Sequence, residues 1–145
     1  MIRKADKDDA KVLADLALNI FDGASRDELI KEFEDFAGDE NIVSFIKFIG
    51  DEVVGFAQCG LRFDYVEGCE NSPVAYLEGI YVKEAFRKKN IGRDLVMACE
   101  KWARDKGVYE FASDCQFDNI SSYNFHLALG FKEVGRIIAF KKDLK

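Results

Sequence analysis

Apolar residues return every three to four positions in some stretches of this chain and alternate or run unbroken in others. That contrast predicts its elements. Ile2–Lys4 reads as a short first strand. Asp6 or Asp8 caps a helix reaching about Phe21, with Val12, Leu13, Leu16, Ala17 and Ile20 on one face. Ser25 opens a second helix with Glu28 at capping-box spacing; Leu29, Ile30, Phe33 and Phe36 form its apolar face, and Gly38 ends it. Asn41–Ile49 and Glu52–Phe63 are rich in β-branched and aromatic residues, and Gly50-Asp51 between them predicts a hairpin turn. After the polar loop Asp64–Pro73, the nearly continuous apolar run Val74–Val82 predicts a central strand. Gly79 inside it marks either a bulge with close backbone approach or a plain packing glycine.

Ile91–Lys106 predicts an amphipathic helix stopped by Gly107. Tyr109–Cys115 reads as a strand, Ile120–Leu129 as a short helix ending at Gly130, and Phe131–Lys141 as a final strand or strand pair. The order β-α-α-β-β-β-α-β-α-β, without repeat or linker, predicts a single α/β domain over residues 1–145: a mixed sheet with helices on both faces.

The most informative chemistry lies between the central strand and the helix that follows it. Arg87-Lys88-Lys89-Asn90-Ile91-Gly92 places three cations and a run of backbone N–H groups at a helix N-terminus. First-turn N–H groups lack intrahelical partners and the helix dipole is positive there, so this loop suits a phosphate group. A strand pointing at such a site suggests a phosphorylated cofactor lying along a sheet.

Composition sharpens that reading. The formal net charge of −6 argues against general nucleic-acid binding and makes the basic loop locally exceptional. An acidic protein with a basic anion site suits an anionic cofactor and a cationic substrate, although acidity also serves solubility alone. The 13 Phe predict an aromatic core. No 18-residue apolar stretch predicts a membrane span, and the start MIRKADKDDA has no apolar region of a signal peptide. Cys59, Cys69, Cys99 and Cys115 form no C-x-x-C and His126 is the one histidine, so no metal site is expected. Reduced thiols and a cytoplasmic setting are the simplest account.

The element order, with Arg87-x-x-Asn90-x-Gly92 after a strand, resembles the GNAT superfamily of N-acetyltransferases. Its hallmark is [Q/R]-x-x-G-x-[G/A], whose backbone N–H groups hold the pyrophosphate of acetyl-CoA. Asn90 replaces the usual glycine, and Asn is the residue besides glycine that best tolerates positive φ. A second family pattern, N-x-x-A-x-x-x-Y-x-x-x-G-[FY], is met by Asn119, Ser122, His126, Gly130 and Phe131, with Ser for Ala and His for Tyr. Within the superfamily, FDYVEG (Phe63–Gly68), SPVAYLEGIYV (Ser72–Val82), EFASD (Glu110–Asp114) and FHLALGFKE (Phe125–Glu133) are similar to bacterial aminoglycoside 6′-N-acetyltransferases. The resemblance implies a mixed, mostly antiparallel sheet with a splayed strand pair.

It also implies roles. Arg87, Lys88, Lys89, Asn90, Ile91, Gly92 and Arg93 would hold the pyrophosphate, and Ile80 and Val82 would pair with pantetheine in the splay. Asn119 would either bond the pantetheine or cap its helix. Glu78, a carboxylate amid apolar neighbours, would take the amine's proton or bind its ammonium. Asp114 would bind a cationic substrate or act as the base. His126 is either a general acid for the departing thiolate or a satisfied core histidine. Asp22, Tyr65 and Glu67 offer charge and stacking to a polycationic sugar, unless the loop is merely solvated. The implied reaction is direct acetyl transfer from acetyl-CoA to an aminoglycoside 6′-amine, by a homodimer. Acetylation of a polyamine, amino acid or protein amine is the alternative, and a non-catalytic acetyl-CoA-binding module is a further one.

Overall fold

Five strands stand side by side in chain order: β1 (Ile2–Lys4), β2 (Ile42–Ile49), β3 (Glu52–Arg62), β4 (Val74–Val82) and β5 (Phe111–Ser113). The computed structural model describes residues 1–145. The first four strands are antiparallel, and β5 joins β4 in parallel over only Ala75–Leu77 and Phe111–Ser113. The sheet is thus mixed and mostly antiparallel, and it opens beyond Leu77 and Ser113. Four α-helices cover it: α1 (Ala10–Ala17), α2 (Arg26–Ala37), α3 (Ile91–Asp105) and α4 (Ile120–Ala128).

Alternation along the strands divides the core in two. On one face, Ala57, Cys59, Ala75 and Leu77 pack with Leu95, Val96 and Cys99 of α3, and Phe125 and Leu129 close that cluster from the α4 side. On the other, Ile46 and Phe56 pack with Leu13 and Ala17 of α1 and Leu29 and Phe33 of α2. Each face removes a continuous apolar surface from water, worth about 25 cal/mol per Å² buried. Ser25 caps α2 by accepting the Glu28 N–H at 3.2 Å, and Gly107 ends α3 at φ +76°.

Three elements differ from expectation. The first helix begins with a 3₁₀ turn, Lys7–Asp9, capped by Asp6, and its regular part stops at Ala17. Beyond it the Asn19 side-chain amide donates to Leu16 O at 3.0 Å, a local bond that competes with helix continuation. The strand expected at Tyr109–Cys115 is shortened to Phe111–Ser113 by the opening of the sheet. The strand or strand pair expected at Phe131–Lys141 is absent. Phe131 still packs on Phe111 and His126, but the following residues find no strand to pair with, and Ile137, Ile138 and Phe140 are at least three-quarters exposed.

Asp9 ties β1 to the first helical turn. Its carboxylate accepts both Arg3 Nη atoms, at 2.8 and 2.9 Å, and the Asp6 N–H at 2.8 Å. The Arg3 guanidinium, against the opposing effect of burial, holds the Asp9 carboxyl below the usual aspartate range. A depressed carboxyl contributes stability above the unfolded-chain pKa and loses it as pH falls through the folded value. Asp9→Ala is therefore expected to cost about 2 kcal/mol at pH 7 in denaturant unfolding. The gap to wild type should shrink as pH drops below about 4.

Candidate active site

The site begins with a register slip in β4. Leu77 pairs with Cys59 and Gly79 with Gln58, so Glu78 is the extra residue of a bulge. An inserted residue reverses side-chain parity. Leu77 and Ile80 consequently both face the α3 layer, whereas Glu78 joins Tyr76 on the α1–α2 side. Gly79 is also a packing glycine: a Cβ there would lie 2.9 Å from Phe21 Cζ and 3.0 Å from Ile20 Cδ1. Because β5 pairs only as far as Leu77, the β4 backbone from Glu78 to Val82 borders the opening without a strand partner on that side.

At the far end of β4 the chain turns into α3. Asn90 precedes the helix at φ +65° and Lys88 stands at φ +64°, so the loop adopts left-handed conformation twice without glycine. No backbone N–H from Lys88 to Arg93 donates to a backbone carbonyl; the first such bond is Asp94 N–H to Asn90 O at 3.0 Å. These groups converge at the positive end of a 15-residue helix, which is the local requirement for holding an anion. Arg87 is placed differently. Its N–H bonds to Glu84 O at 3.2 Å, and its Nε donates to Val82 O at 2.8 Å, fastening the loop to the strand end.

Two short networks gather the candidate carboxylates and the histidine where the sheet opens. Arg62 donates to both Glu78 oxygens, at 2.9 and 2.7 Å, and its guanidinium lies 3.4 Å over the Tyr76 ring. The Tyr76 hydroxyl donates to Asp114, and burial followed by this bond drives the phenol well above its ordinary pKa. On the other side of β5, His126 Nδ1 lies 2.7 Å from Ser122 O and Nε2 lies 2.8 Å from Ser113 Oγ. A carbonyl can only accept, so Nδ1 carries the proton, and in the neutral ring Nε2 accepts from Ser113. Ser113 Oγ is also within 3.3 Å of Leu77 O.

The Glu78 carboxylate opens into a cavity of about 460 Å³ between β3, α2 and the α1–α2 turn. Phe21, Leu29, Phe33 and Phe36 supply apolar walls, and Glu32 and Gln58 stand with Glu78 as its polar members. The neighbouring acidic loop is pinned by Glu110, whose carboxylate accepts the N–H groups of Glu70 and Asn71 at 3.0 and 2.8 Å. Those backbone bonds hold the Glu110 carboxyl below its usual range.

A family model described as the acetyltransferase (GNAT) family matches residues 10–131. The chain belongs to that family. An aminoglycoside N(6′)-acetyltransferase type 1 of Stenotrophomonas maltophilia is 37% identical over 144 residues, covering 99% of this chain and 94% of that protein. One of the same name from Salmonella typhimurium is 44% identical over 89 residues, 61% of each chain. The matched region thus spans about three-fifths of the latter relative. The solved complex of AAC(6′)-Iy with the bisubstrate analogue CoA-S-monomethyl-acetylneamine superposes with a TM-score of 0.93 at 34% identity, covering 99% of this chain and 98% of that one.

Within the GNAT frame, the structure brings Glu78, Asp114 and His126 to the C-terminal end of the β4–β5 pairing, and Lys88–Arg93 follow the C-terminal end of β4 itself. Ile80 and Val82 face α3 beside the opening. Asn119 caps α4, its side chain accepting the Ser122 N–H at 3.1 Å. Tyr65 and Glu67 bond to each other at 3.1 Å in the exposed loop; neither they nor exposed Asp22 line the cavity. Arg62, Tyr76 and Ser113 escape sequence reasoning because their importance arises only from pairing across strands. Gln58 had a legible signal: one polar residue inside the apolar run Val53–Leu61.

Gly92 serves packing as well as the loop. A Cβ there would meet Phe125 Cε1 at 2.9 Å and Cζ at 3.1 Å. Gly92→Val is expected to displace Phe125 and, with it, the α4 turn carrying His126. It should cost about 1–3 kcal/mol in denaturant unfolding and weaken acetyl-CoA binding at least about tenfold by calorimetry.

Proposed function

We propose that this protein is an acetyl-CoA-dependent N-acetyltransferase acting on the 6′-amine of aminoglycosides, and so confers resistance to them. The observation that carries the reading is the bulge at Glu78, which joins two differently charged sites across one strand. The unpaired N–H groups of Lys88–Arg93 suit the pyrophosphate of acetyl-CoA, and the β4 edge at Ile80 and Val82 suits its pantetheine. The cavity on the opposite face has carboxylates at Glu78 and Glu32, suited to an amine that arrives as a cation. The relatives' names and the AAC(6′)-Iy bisubstrate complex support the same pairing of substrates.

In this reading Glu78 draws in the ammonium group and accepts its proton, directly or through one water. Arg62, bound to both oxygens, holds the carboxylate in a fixed orientation. Asp114, oriented by the Tyr76 hydroxyl, provides a second contact for the cation. The freed amine attacks the thioester carbonyl, the C–N bond forms, the nitrogen gives up its second proton to water, and the C–S bond breaks. In its protonated form, His126 passes a proton through the Ser113 hydroxyl to the departing thiolate. Asp22, Tyr65 and Glu67 sit outside the cavity and serve the outer rings of a large substrate.

We also place the protein in the cytoplasm, where acetyl-CoA is available and the four free cysteines fit a reducing setting. We further propose a homodimer formed through the C-terminal segment. Ile137, Ile138, Phe140 and Leu144 are 77–93% exposed, an apolar run that a second copy would cover. Removal of residues 137–145 should convert the dimer to monomer in analytical ultracentrifugation; a wild-type monomer would refute the dimer.

The activity is tested by CoA-thiol release with acetyl-CoA and kanamycin or tobramycin, a 6′-hydroxyl analogue, spermidine and a short peptide. Turnover is expected with the 6′-amines and little with the 6′-hydroxyl compound. Turnover confined to spermidine or the peptide would move the substrate to another amine. Glu78→Gln should lower kcat at least about hundredfold while leaving the KM for acetyl-CoA unchanged.

A further inference from the structure

Gln58 is a structural anomaly in the middle of β3. Its neighbours Phe56, Ala57 and Cys59 are fully buried, and Gln58 itself is only 7% exposed. Yet its side-chain amide takes part in none of the hydrogen bonds that satisfy the other polar side chains here. Every side-chain N or O atom sealed from solvent has a partner. The unpartnered Gln58 amide therefore retains access, and the space it faces is the cavity it lines with Glu78. Gln58 pairs across the sheet with Gly79, directly beside the bulge, so no side chain at the paired position screens it.

Water can satisfy the amide while the cavity is open. A ligand that fills the cavity removes that water and must replace its hydrogen bonds, or leave a buried amide unpaired at the cost of its desolvation. Elsewhere the walls are largely aromatic and aliphatic, so the amide is one of the few groups able to discriminate among ligands of similar shape.

We propose that Gln58 is a specificity-determining residue for the acceptor. Its amide hydrogen-bonds a hydroxyl or amino group adjacent to the amine held at Glu78. This rests on the cavity being the acceptor site of the proposed acetyltransferase. An amide both donates and accepts, so it suits the alternating amino and hydroxyl groups of a polyhydroxylated amine. It offers nothing specific to a simple alkylamine. Discrimination arises because an acceptor lacking the neighbouring polar group strands the amide.

The test compares wild type with Gln58→Leu and Gln58→Glu. It uses thermal unfolding, steady-state kinetics with kanamycin and acetyl-CoA, and calorimetric binding of kanamycin to the CoA-loaded protein. Gln58→Leu should keep or raise Tm, because it removes an amide that the folded chain leaves without a protein partner. It should raise both the KM and the Kd for kanamycin about tenfold, leave the KM for acetyl-CoA in place, and narrow the preference for kanamycin over a simple alkylamine. Gln58→Glu should retain kanamycin binding, because a carboxylate still accepts from a hydroxyl or ammonium.

A kanamycin KM and Kd within twofold of wild type in Gln58→Leu would overturn the proposal. So would a fall in Tm with both substrates' KM values rising together, which is the signature of a merely structural residue. If wild type binds kanamycin without turning it over and Gln58→Leu loses that binding, Gln58 keeps its role and the proposed reaction fails. If wild type turns over kanamycin and Gln58→Leu does so unaltered, the reaction stands and Gln58 has no part in specificity.

Discussion

The slip of one residue between β3 and β4 governs the rest of the site. Without the extra residue, strict alternation would put Leu77 and Gly79 on one face and Glu78 and Ile80 on the other. Glu78 and the apolar side chain of Ile80 would then compete for the same environment. With it, Leu77 and Ile80 both enter the α3 layer, and Glu78 turns to Arg62 and the cavity. A strand bent in this way is a poor partner for a long parallel neighbour, consistent with β5 pairing over only Ala75–Leu77. The bulge and the open edge thus belong to one local geometry, with Gly79 leaving room for Phe21 behind it.

Around that geometry Arg62, Glu78, Tyr76, Asp114, Ser113 and His126 all have partners, whereas the Gln58 amide has none in the protein. Arg62 is bound by Glu78 and stacked on Tyr76, and Tyr76 donates to Asp114. Such a half-exposed ion pair contributes little to stability on its own, commonly 0–1 kcal/mol. Its effect here is positional: both Glu78 oxygens are fixed relative to the strand that borders the cavity. His126 is held on both ring nitrogens, by Ser122 O and by Ser113 Oγ. The single Ser113 proton goes to Nε2 of the neutral ring, or to Leu77 O when the ring is protonated and donates. The packing of Phe125 on Gly92 connects the His126 turn to the start of α3, so the Lys88–Arg93 loop and the histidine share one apolar contact.

Much of this was legible in the chain. Val74–Val82 was bounded to the residue, because an unbroken apolar run between a polar loop and a basic one has little other explanation. Asn90 met the expectation placed on it, adopting φ +65° where the family carries glycine. Lys88, a residue with no such preference, does the same, and no propensity announced it. The C-terminal run has the composition of a strand and forms none. Its β-branched and aromatic residues, Val134, Ile137, Ile138 and Phe140, favour a strand, but pairing needs a neighbour, and the folded chain offers none.

By itself, the sequence determined most of the elements, the two apolar faces, the left-handed loop before α3 and the family, because periodicity, turn chemistry and short motifs are local properties. Tertiary structure alone decided which polar groups meet. Arg62 and Glu78 are 16 residues apart, and Tyr76 and Asp114 are 38 apart. Their contact depends on strand register, and one inserted residue reverses which face each side chain occupies. The same register places Gln58 opposite Gly79 and beside Glu78. That is why a carboxylate visible in the chain as an oddity acquires partners, a cavity and a direction only in the folded sheet.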